Sequence, residues 1–266
     1  MPEKLYPWID PVIFHIGFFE LRWYSLAYMV GFLSCFFTIK YFNNREGQGV
    51  IASYDILERA ITYGVVGVIL GGRLGYVLFY NASYYLENPS YIVRIWEGGM
   101  SFHGAFIGVI VAFWIYTTKY GISKLRFSDL CAIGTPIGIF FGRIANFING
   151  ELYGRKTDSW LGVIFPMSGD GHARHPSQLY ESFFEGFVLF AILFACARFT
   201  KFLEFRGRVF GTFLFGYGFF RFGIEYFREP DQQIGFLFDA ITMGQVLCLP
   251  MIFIGAFFIL RSRRDQ

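Results

Sequence analysis

Seven long apolar segments constrain this chain more than any other feature of its sequence. A helix of about 20 mostly apolar residues crosses a bilayer core, and segments of about that length lie at roughly 22–42, 58–80, 100–118, 129–149, 179–198, 209–227 and 242–260. The buried strands of a soluble α/β enzyme need apolar runs of only about 4–8 residues, so segments this long argue against that fold. Each segment is predicted to be a helix, because backbone polar groups in lipid must bond to one another.

The composition agrees with a membrane protein. Hydrophobic residues make up 55% of the 266 residues, and the mean hydropathy is +0.44. Charged residues make up 16% and the net charge is only +3, whereas a typical soluble domain has about 25% charged residues. These values exclude a disordered chain, an ordinary cytosolic enzyme and a nucleic-acid-binding protein. We expect an all-α polytopic membrane protein of about seven transmembrane helices, forming a single integral membrane domain over residues 1–266.

The distribution of basic residues predicts the orientation in the membrane. Cytoplasmic loops carry an excess of Lys and Arg. The side that includes the short loops at 43–57, 119–128 and 199–208 carries 12 of the 23 basic residues, and the other side carries seven although its loops are longer. The N-terminus is therefore predicted to lie outside and the C-terminus in the cytoplasm. The polar segment 150–178 then forms a small head segment on the outer side.

Ionisable side chains inside apolar segments are candidate functional residues, because charge is costly in lipid. The densest group lies in GRIANFINGELYG, residues 142–154, and includes Arg143, Asn146, Asn149 and Glu151. A guanidinium beside an amide suits a phosphate group, since arginine presents a planar fork of donors. The alternative is a polar clamp between helices, which explains one or two such groups more easily than four within nine residues.

Two further groups of polar residues lie in apolar segments. RFGIEYFR places Arg221 and Glu225 four residues apart, on one helix face, with Arg228 one turn further along. GGMSFHGAFIG places His103 among glycines, where a histidine either packs or acts as a general base near neutral pH. Arg73, in GVILGGRLGY, either has a structural role or helps to hold an anionic headgroup.

The arginines suggest a ligand that is both anionic and embedded in lipid, such as a phospholipid. HExxH and GxSxG are absent from the sequence, which weakens the metalloprotease and serine-hydrolase interpretations. A transporter or receptor for an anionic lipid is an alternative, because it uses the same arginines without chemistry. Many transporters show repeated halves, and no such repeat stands out in the sequence.

Taken together, these motifs resemble a known family, the bacterial phosphatidylglycerol–prolipoprotein diacylglyceryl transferases. GRIANFINGELYG is similar to the family signature GRxxNFxNxExxG at every fixed position. GGMSFHG, RHPSQLYE and RxxxExxR also occur in the expected order, and RWYSLAY resembles a first-span motif with an important tyrosine, here Tyr24. The resemblance covers nearly the whole chain.

The resemblance implies a multi-pass transferase of the bacterial inner membrane. Such an enzyme moves the diacylglyceryl group of phosphatidylglycerol to the lipobox cysteine thiol of a preprolipoprotein. The products are a thioether and glycerol 1-phosphate, and the reaction is the first step of lipoprotein maturation. The expected partners are phosphatidylglycerol, the preprolipoprotein signal peptide and the bilayer. No metal, nucleotide cofactor or nucleic acid is expected, and the active site is expected to face the outer leaflet.

The resemblance also suggests a role for each candidate residue. His103, Arg143 and Arg221 are the expected catalytic residues: His103 deprotonates the substrate thiol, and the arginines stabilise the leaving phosphate. Glu151 or the phosphate itself remains an alternative base. The expected phosphatidylglycerol-binding residues are Arg143, Asn146, Glu151, Gly154, Tyr24, Glu225 and Arg228. Among these, Glu225 is expected to orient Arg221, and Tyr24 to supply a hydrogen bond.

Overall fold

The structure, a computed structural model, describes residue 6 and residues 9–16, 19–45, 53–230, 236–237 and 241–261. The chain divides into two compact units. The larger unit comprises residues 1–39 and 128–266, and the smaller unit comprises residues 40–127.

Helices occupy all seven segments that the sequence predicts to be apolar spans. They are α1 (Trp23–Arg45), α2 (Tyr54–Tyr80) with the short α3 (Ala82–Glu87) after it, α4 (Phe102–Lys119), α5 (Lys124–Ile148), α6 (Ser177–Glu181), α7 (Leu189–Phe199), α8 (Arg208–Ile224) and α9 (Met243–Arg261). A π-helical stretch, Ser182–Val188, joins α6 to α7, so the fifth predicted span is one irregular helix.

Within the described residues, five helices are long and apolar enough to cross a membrane. They cover 23–43, 54–80, 124–148, 177–199 and 243–261. Helices α4 and α8 contain 18 and 17 residues, so a total of seven spans stays a prediction. Large apolar side chains such as Phe79, Phe253 and Leu260 are exposed on these helices. Exposed apolar faces on long helices are typical of a protein surrounded by lipid, and the chain is a polytopic helical membrane protein.

Glycines bring α2 and α4 into close contact in the smaller unit. Gly67, Gly71 and Gly75 recur every fourth residue on α2 and face Gly104 and Gly108 of α4. A Cβ atom on Gly108 would lie 2.1 Å from the carbonyl oxygen of Gly67, and one on Gly104 would lie 2.3 Å from that of Gly71. Small residues at this spacing allow close backbone packing between membrane helices.

Arg73 clamps the loop that follows α3. Its Nε donates to the carbonyl oxygen of Ile92 at 2.8 Å, and its Nη2 to that of Tyr91 at 2.7 Å. Its Nη1 donates to the carbonyl oxygens of Gly98 at 2.6 Å and Gly99 at 3.1 Å. The side chain is buried. Of the two roles that the sequence left open for Arg73, the structure shows the structural one.

Within its described residues, the larger unit also contains three short antiparallel strand pairs. Strand β1 (Val12–Ile16) pairs with β2 (Phe19–Arg22), β3 (Val163–Ile164) with β4 (Ala173–Arg174), and β5 (Phe236–Leu237) with β6 (Ile241–Thr242). Val163 lies opposite Arg174 in the second hairpin. This hairpin lies within residues 150–178, the segment predicted to form an outer head.

A buried carboxylate fixes the beginning of α8, the helix that carries Arg221. The backbone N–H of Gly207 donates to Oδ2 of Asp129 at 2.6 Å, and that of Phe210 donates to Oδ1 at 2.8 Å. Asp129 is fully buried. An acidic side chain at a helix N-terminus satisfies free N–H groups and complements the helix dipole. Asp129 therefore ties α8 to the start of α5.

Candidate active site

Three arginines of the larger unit converge on one carboxylate, that of Glu181. Arg143 Nε lies 2.8 Å from Glu181 Oε2. Arg221 Nη1 and Arg228 Nη1 each lie 2.9 Å from Oε1 of the same residue. The Glu181 side chain is 0% exposed. An isolated charge is unfavourable in a buried position. The three arginines compensate the charge of Glu181, which therefore forms the centre of the group.

Two more glutamates complete the cluster. Glu225 Oε2 lies 3.1 Å from Arg221 Nη2, and Glu225 Oε1 accepts a hydrogen bond from Thr242 Oγ1 at 3.0 Å. Glu185 lies further from the arginines, at 3.7 Å from Arg143 Nη2 and 3.8 Å from Arg221 Nη1. We call these six ionisable residues the ionic cluster: Arg143, Arg221, Arg228, Glu181, Glu185 and Glu225.

The arginines form the accessible side of the cluster. The side chains of Arg143, Arg221 and Arg228 are 20%, 15% and 13% exposed, whereas those of Glu181 and Glu185 are 0% exposed. A ligand that approaches the cluster therefore meets guanidinium groups before carboxylates. Such a surface favours an anion, and planar guanidinium groups match the geometry of a phosphate.

Sequence reasoning did not include Glu181 and Glu185 among the site residues. They lie four residues apart in ESFFE, at the start of an apolar segment. The same spacing drew attention to Arg221 and Glu225, because residues four apart share a helix face. Two acidic residues in an apolar segment therefore indicate candidate site residues, because charge inside a membrane is costly.

The π-helical stretch packs tightly against α5 and brings both glutamates beside Arg143. Ser182 Oγ donates to the carbonyl oxygen of Phe140 at 3.0 Å. A Cβ atom on Gly186 would lie 2.7 Å from the Cα of Phe140, so only a glycine allows this approach. π-Helical turns within α-helices are often found at functional sites.

The turn after α5 holds Glu151 in place. Asn146 Nδ2 and Asn149 Nδ2 donate to Glu151 Oε1 at 2.9 and 3.1 Å. Gln178 Nε2 donates to the backbone carbonyl of Glu151 at 2.6 Å. Gly150 has a φ of 68°, a left-handed conformation that glycine adopts without strain. The predicted pair Asn146 and Glu151 is thus brought together by direct hydrogen bonding.

Gly154 lies where the chain passes against the segment after α8. A Cβ atom on Gly154 would lie 2.3 Å from the carbonyl oxygen of Phe227. Next to it, the backbone N–H of Arg155 donates to the same carbonyl at 2.8 Å, and Arg155 Nε donates to that of Arg228 at 2.8 Å. This close contact fixes the backbone that carries Arg228.

A cavity of about 250 Å³ lies between the Glu151 turn and the residues after α8. Its lining includes Glu151, Glu229 and Arg228 as well as the apolar residues Leu152 and Met167. Leu152 has a φ of 59°, which is uncommon outside glycine. The cavity therefore combines an acceptor, a cation and an apolar wall, a combination that suits an amphiphilic ligand.

An ion-pair network ties the predicted head segment to the residues after α8. Arg174 Nη2 donates to Asp170 Oδ2 at 2.8 Å, and Arg174 Nη1 donates to Glu229 Oε2 at 3.0 Å. Lys156 Nζ lies 3.1 Å from Asp170 Oδ2. The hydrogen bond from Arg174, with another from the backbone N–H of His172, holds the pKa of Asp170 well below its usual range. Asp170 is therefore ionised at neutral pH.

His175 lies near the end of the predicted head segment, just before α6. Its Nδ1 lies 3.1 Å from the hydroxyl oxygen of Tyr180, and its ring centroid lies 5.1 Å from that of Phe227. Burial lowers the pKa of His175 from its ordinary value. The imidazole is accordingly neutral at pH 7 and joins Tyr180 and Phe227 in an aromatic group.

The remaining two candidate residues are not members of the ionic cluster. Tyr24 is the second residue of α1 in the larger unit, and its ring centroid lies 5.5 Å from that of Tyr28. His103 is an exposed residue in the first turn of α4, in the smaller unit. The hydroxyl of Ser101 caps that turn by accepting from the backbone N–H of Gly104 at 3.2 Å. The catalytic roles of Tyr24 and His103 stay predictions.

Apolar helices around a buried ionic cluster define a multi-pass membrane protein with a candidate site for an anionic ligand. The sequence model of the family "Prolipoprotein diacylglyceryl transferase" matches residues 11–261. The chain therefore belongs to the prolipoprotein diacylglyceryl transferase family, and it is a transferase of lipoprotein biosynthesis. This confirms the family membership and the enzyme class that the motifs predicted.

Relatives named phosphatidylglycerol–prolipoprotein diacylglyceryl transferase match almost the entire chain. The relative from Rickettsia canadensis (strain McKiel) is 51% identical over 259 residues, covering 97% of this chain and 98% of its own length. The relative from Azospirillum brasilense is 49% identical over 262 residues, covering 97% and 96%. The relative from Ehrlichia canis (strain Jake) is 49% identical over 252 residues, covering 94% and 95%.

Proposed function

We propose that this protein transfers the diacylglyceryl group of phosphatidylglycerol to the lipobox cysteine of a preprolipoprotein, the first step of lipoprotein maturation. The observation that carries this proposal is the convergence of Arg143, Arg221 and Arg228 on the buried Glu181. Charge inside a membrane protein is costly and is a functional-site hypothesis by default. The names of the relatives supply the substrates, phosphatidylglycerol and a prolipoprotein.

The proposed reaction is a displacement at carbon. The sulfur of the substrate cysteine attacks the diacylglycerol carbon that carries the phosphate ester. A C–S bond forms as the C–O bond breaks, and the electron pair of that bond leaves with glycerol 1-phosphate. The thiol proton goes to a base, for which His103 is proposed because a neutral imidazole accepts protons near pH 7. Glu151 or the departing phosphate is the alternative acceptor.

Arg143 and Arg221 are proposed to stabilise the charge that develops on the departing phosphate. Each uses part of its guanidinium group to contact Glu181, and each keeps an exposed fraction that a phosphate can reach. Glu225 restrains Arg221 through the 3.1 Å contact between Glu225 Oε2 and Arg221 Nη2. Donors that are held in place before reaction stabilise developing charge without reorganisation, which is a large term in catalysis.

The headgroup is proposed to bind at the Glu151 turn. Glu151 and Arg228 line the same cavity, which supports a binding mode in which the carboxylate accepts from a glycerol hydroxyl and the guanidinium contacts the phosphate. Asn146 positions Glu151, and Gly154 allows the close backbone contact that positions Arg228. Tyr24 is proposed to donate a further hydrogen bond to the lipid.

The protein is proposed to lie in the inner membrane as a single domain with residues 150–178 as an outer head. The N-terminus is outside, the C-terminus is cytoplasmic, and the active site faces the outer leaflet. The excess of basic residues in the short loops supports this orientation.

The test is a transfer assay on the purified protein in nanodiscs that contain phosphatidylglycerol. A lipobox peptide is added, and mass spectrometry measures both the thioether peptide and glycerol 1-phosphate. The wild-type protein should form them in equal amounts. Arg143→Ala should lower the rate by about 100-fold or more, because a donor to the departing phosphate is lost.

Arg261→Ala is the matched control, since Arg261 lies exposed at the end of α9. This variant should transfer at the wild-type rate. Near-normal transfer by Arg143→Ala would contradict the phosphate role of Arg143. Lipid binding by the wild-type protein without release of glycerol phosphate would instead indicate a receptor or transporter.

A further inference from the structure

We propose that Glu185 sets the affinity of the candidate site for phosphate, by keeping the ionic cluster neutral so that the phosphate product dissociates. The identity of the ligand rests on the proposed function. Glu185 is an affinity-determining residue in this proposal, since its charge acts on the phosphate from behind Arg143 and Arg221.

The contacts of Glu185 differ from those of its neighbour Glu181. Glu181 has three arginine nitrogens within 2.9 Å. The nearest arginine nitrogens to Glu185 lie at 3.7 and 3.8 Å, beyond hydrogen-bond distance. Among the described residues, neither carboxyl oxygen of Glu185 accepts a hydrogen bond, although the side chain is 0% exposed. The carboxyl group of Glu185 is thus buried without a hydrogen bond from the described residues.

The location of Glu185 is set by its flanking residues. Ser182 and Gly186 fix the π-helical stretch against Phe140 of α5. Glu185 is thereby held at nearly equal distances from Arg143 and Arg221, the two arginines proposed to contact the departing phosphate. Its charge acts on both guanidinium groups, while its oxygens lie farther from them than those of Glu181 do.

The charge balance of the cluster gives Glu185 its proposed effect. The cluster contains three arginines and three glutamates, so it is neutral when all six are ionised. The carboxylate of Glu185 lies close behind the guanidinium groups and repels a phosphate that contacts their accessible side. Without that carboxylate, the cluster carries one net positive charge in a place of low dielectric constant, where an anion is held more strongly. Glu185 therefore favours release of the product over its retention.

The experiment measures equilibrium binding of glycerol 1-phosphate to the purified full-length protein in nanodiscs, without any peptide acceptor. Glu185→Gln should bind it about tenfold more tightly than the wild-type protein does. Glu185→Met should do the same, because an uncharged side chain of similar length replaces a group with no hydrogen bond in the part of the chain that the structure describes. Glu185→Asp keeps the charge and should stay within about threefold of wild type.

Steady-state kinetics separate this effect from simple damage to the site. In both neutral variants the KM for phosphatidylglycerol should fall, and inhibition by glycerol 1-phosphate should strengthen, whereas damage raises KM. Glu58→Gln is the control, because it removes the same charge at an exposed position on α2. This control should match wild type in both measurements.

Three results would overturn the proposal. The first is unchanged or weaker phosphate binding in folded Glu185→Gln. The second is equally tight binding in Glu185→Asp and Glu185→Gln, since charge is then not the cause. The third is failure of both neutral variants to fold while Glu185→Asp folds, because the carboxylate is then required for structure. The binding measurement does not depend on transfer, so a wild-type protein inactive in transfer would count against the proposed function alone.

Discussion

Glu181 shows at the scale of a single residue why the ionic cluster holds together. Its carboxylate has no exposed atoms and has Arg143, Arg221 and Arg228 around it. Burying an ion pair contributes little net stability, because desolvation offsets the attraction. Removing one member is different, since it leaves the partners charged and uncompensated. The arginines therefore depend on Glu181 far more than surface arginines depend on their partners.

Glu181→Gln should lower the free energy of unfolding by about 3–5 kcal/mol, the usual cost of breaking a buried ion pair. Thermal unfolding of the purified protein in detergent measures the change. Glu58→Gln, at an exposed position, should leave the transition within about 0.5 kcal/mol of wild type. Equal stability of Glu181→Gln and wild type would show that the three arginines do not need this carboxylate.

The arginines of the site could be found from the sequence, and Glu181 stands out as an acidic residue in an apolar segment, but the contacts between them could not be predicted. Arg143 and Arg221 stand out because they interrupt apolar segments. Their contacts with Glu181 join residues 38 and 40 positions apart in the chain, as the numbering shows. Spacing within one helix reveals only pairs such as Arg221 and Glu225. Arg73 also stands out in the sequence, but its structural role depends on a loop whose path the sequence does not reveal.

At the scale of elements, the helices follow directly from apolar length. The fifth predicted span, 179–198, corresponds to 177–199 in the structure. Its π-helical stretch at Ser182–Val188 was not predicted. Apolar periodicity does not reveal one widened turn here, since the segment is mostly apolar and its acidic residues, Glu181 and Glu185, lie close together near its start. The close packing of Gly186 on Phe140 accompanies this irregular turn.

Gly108→Val should destabilise the packing of α2 on α4 by about 1–3 kcal/mol or more, the typical cost of overpacking. A Cβ atom there meets the carbonyl oxygen of Gly67 at 2.1 Å. Gly142→Ala on α5 is the matched control for stability, because its added Cβ meets no atom of another described element within 4 Å. Thermal unfolding should show a clear loss for the first variant and none for the second. Wild-type stability of Gly108→Val would mean that the two helices can separate without cost.

At the scale of the whole molecule, the membrane orientation rests on basic residues alone. Asp158 lies in the predicted outer head, and Thr200 lies in a predicted cytoplasmic connection; both positions are exposed. In a variant without the four native cysteines, Asp158→Cys should react with a membrane-impermeant maleimide in intact cells. Thr200→Cys should react only after the membrane is opened. The reverse pattern would invert the proposed orientation.

The sequence alone determined that this chain is a polytopic helical membrane protein, and its motifs identified the family. The physical reason is that lipid imposes two local requirements: apolar length, and internal pairing of backbone groups. Both can be read along the chain, as can the scarce charges that break the apolar segments.

Only the tertiary structure decided how those charges are used. It paired Arg143 with Glu181, bonded Glu151 to Asn146, and assigned Arg73 to backbone carbonyls. It also revealed that Glu185 is buried without a hydrogen bond among the described residues. The physical reason is that ion pairs and hydrogen bonds act over a few ångströms in space. The positions of residues along the chain do not show which side chains come that close.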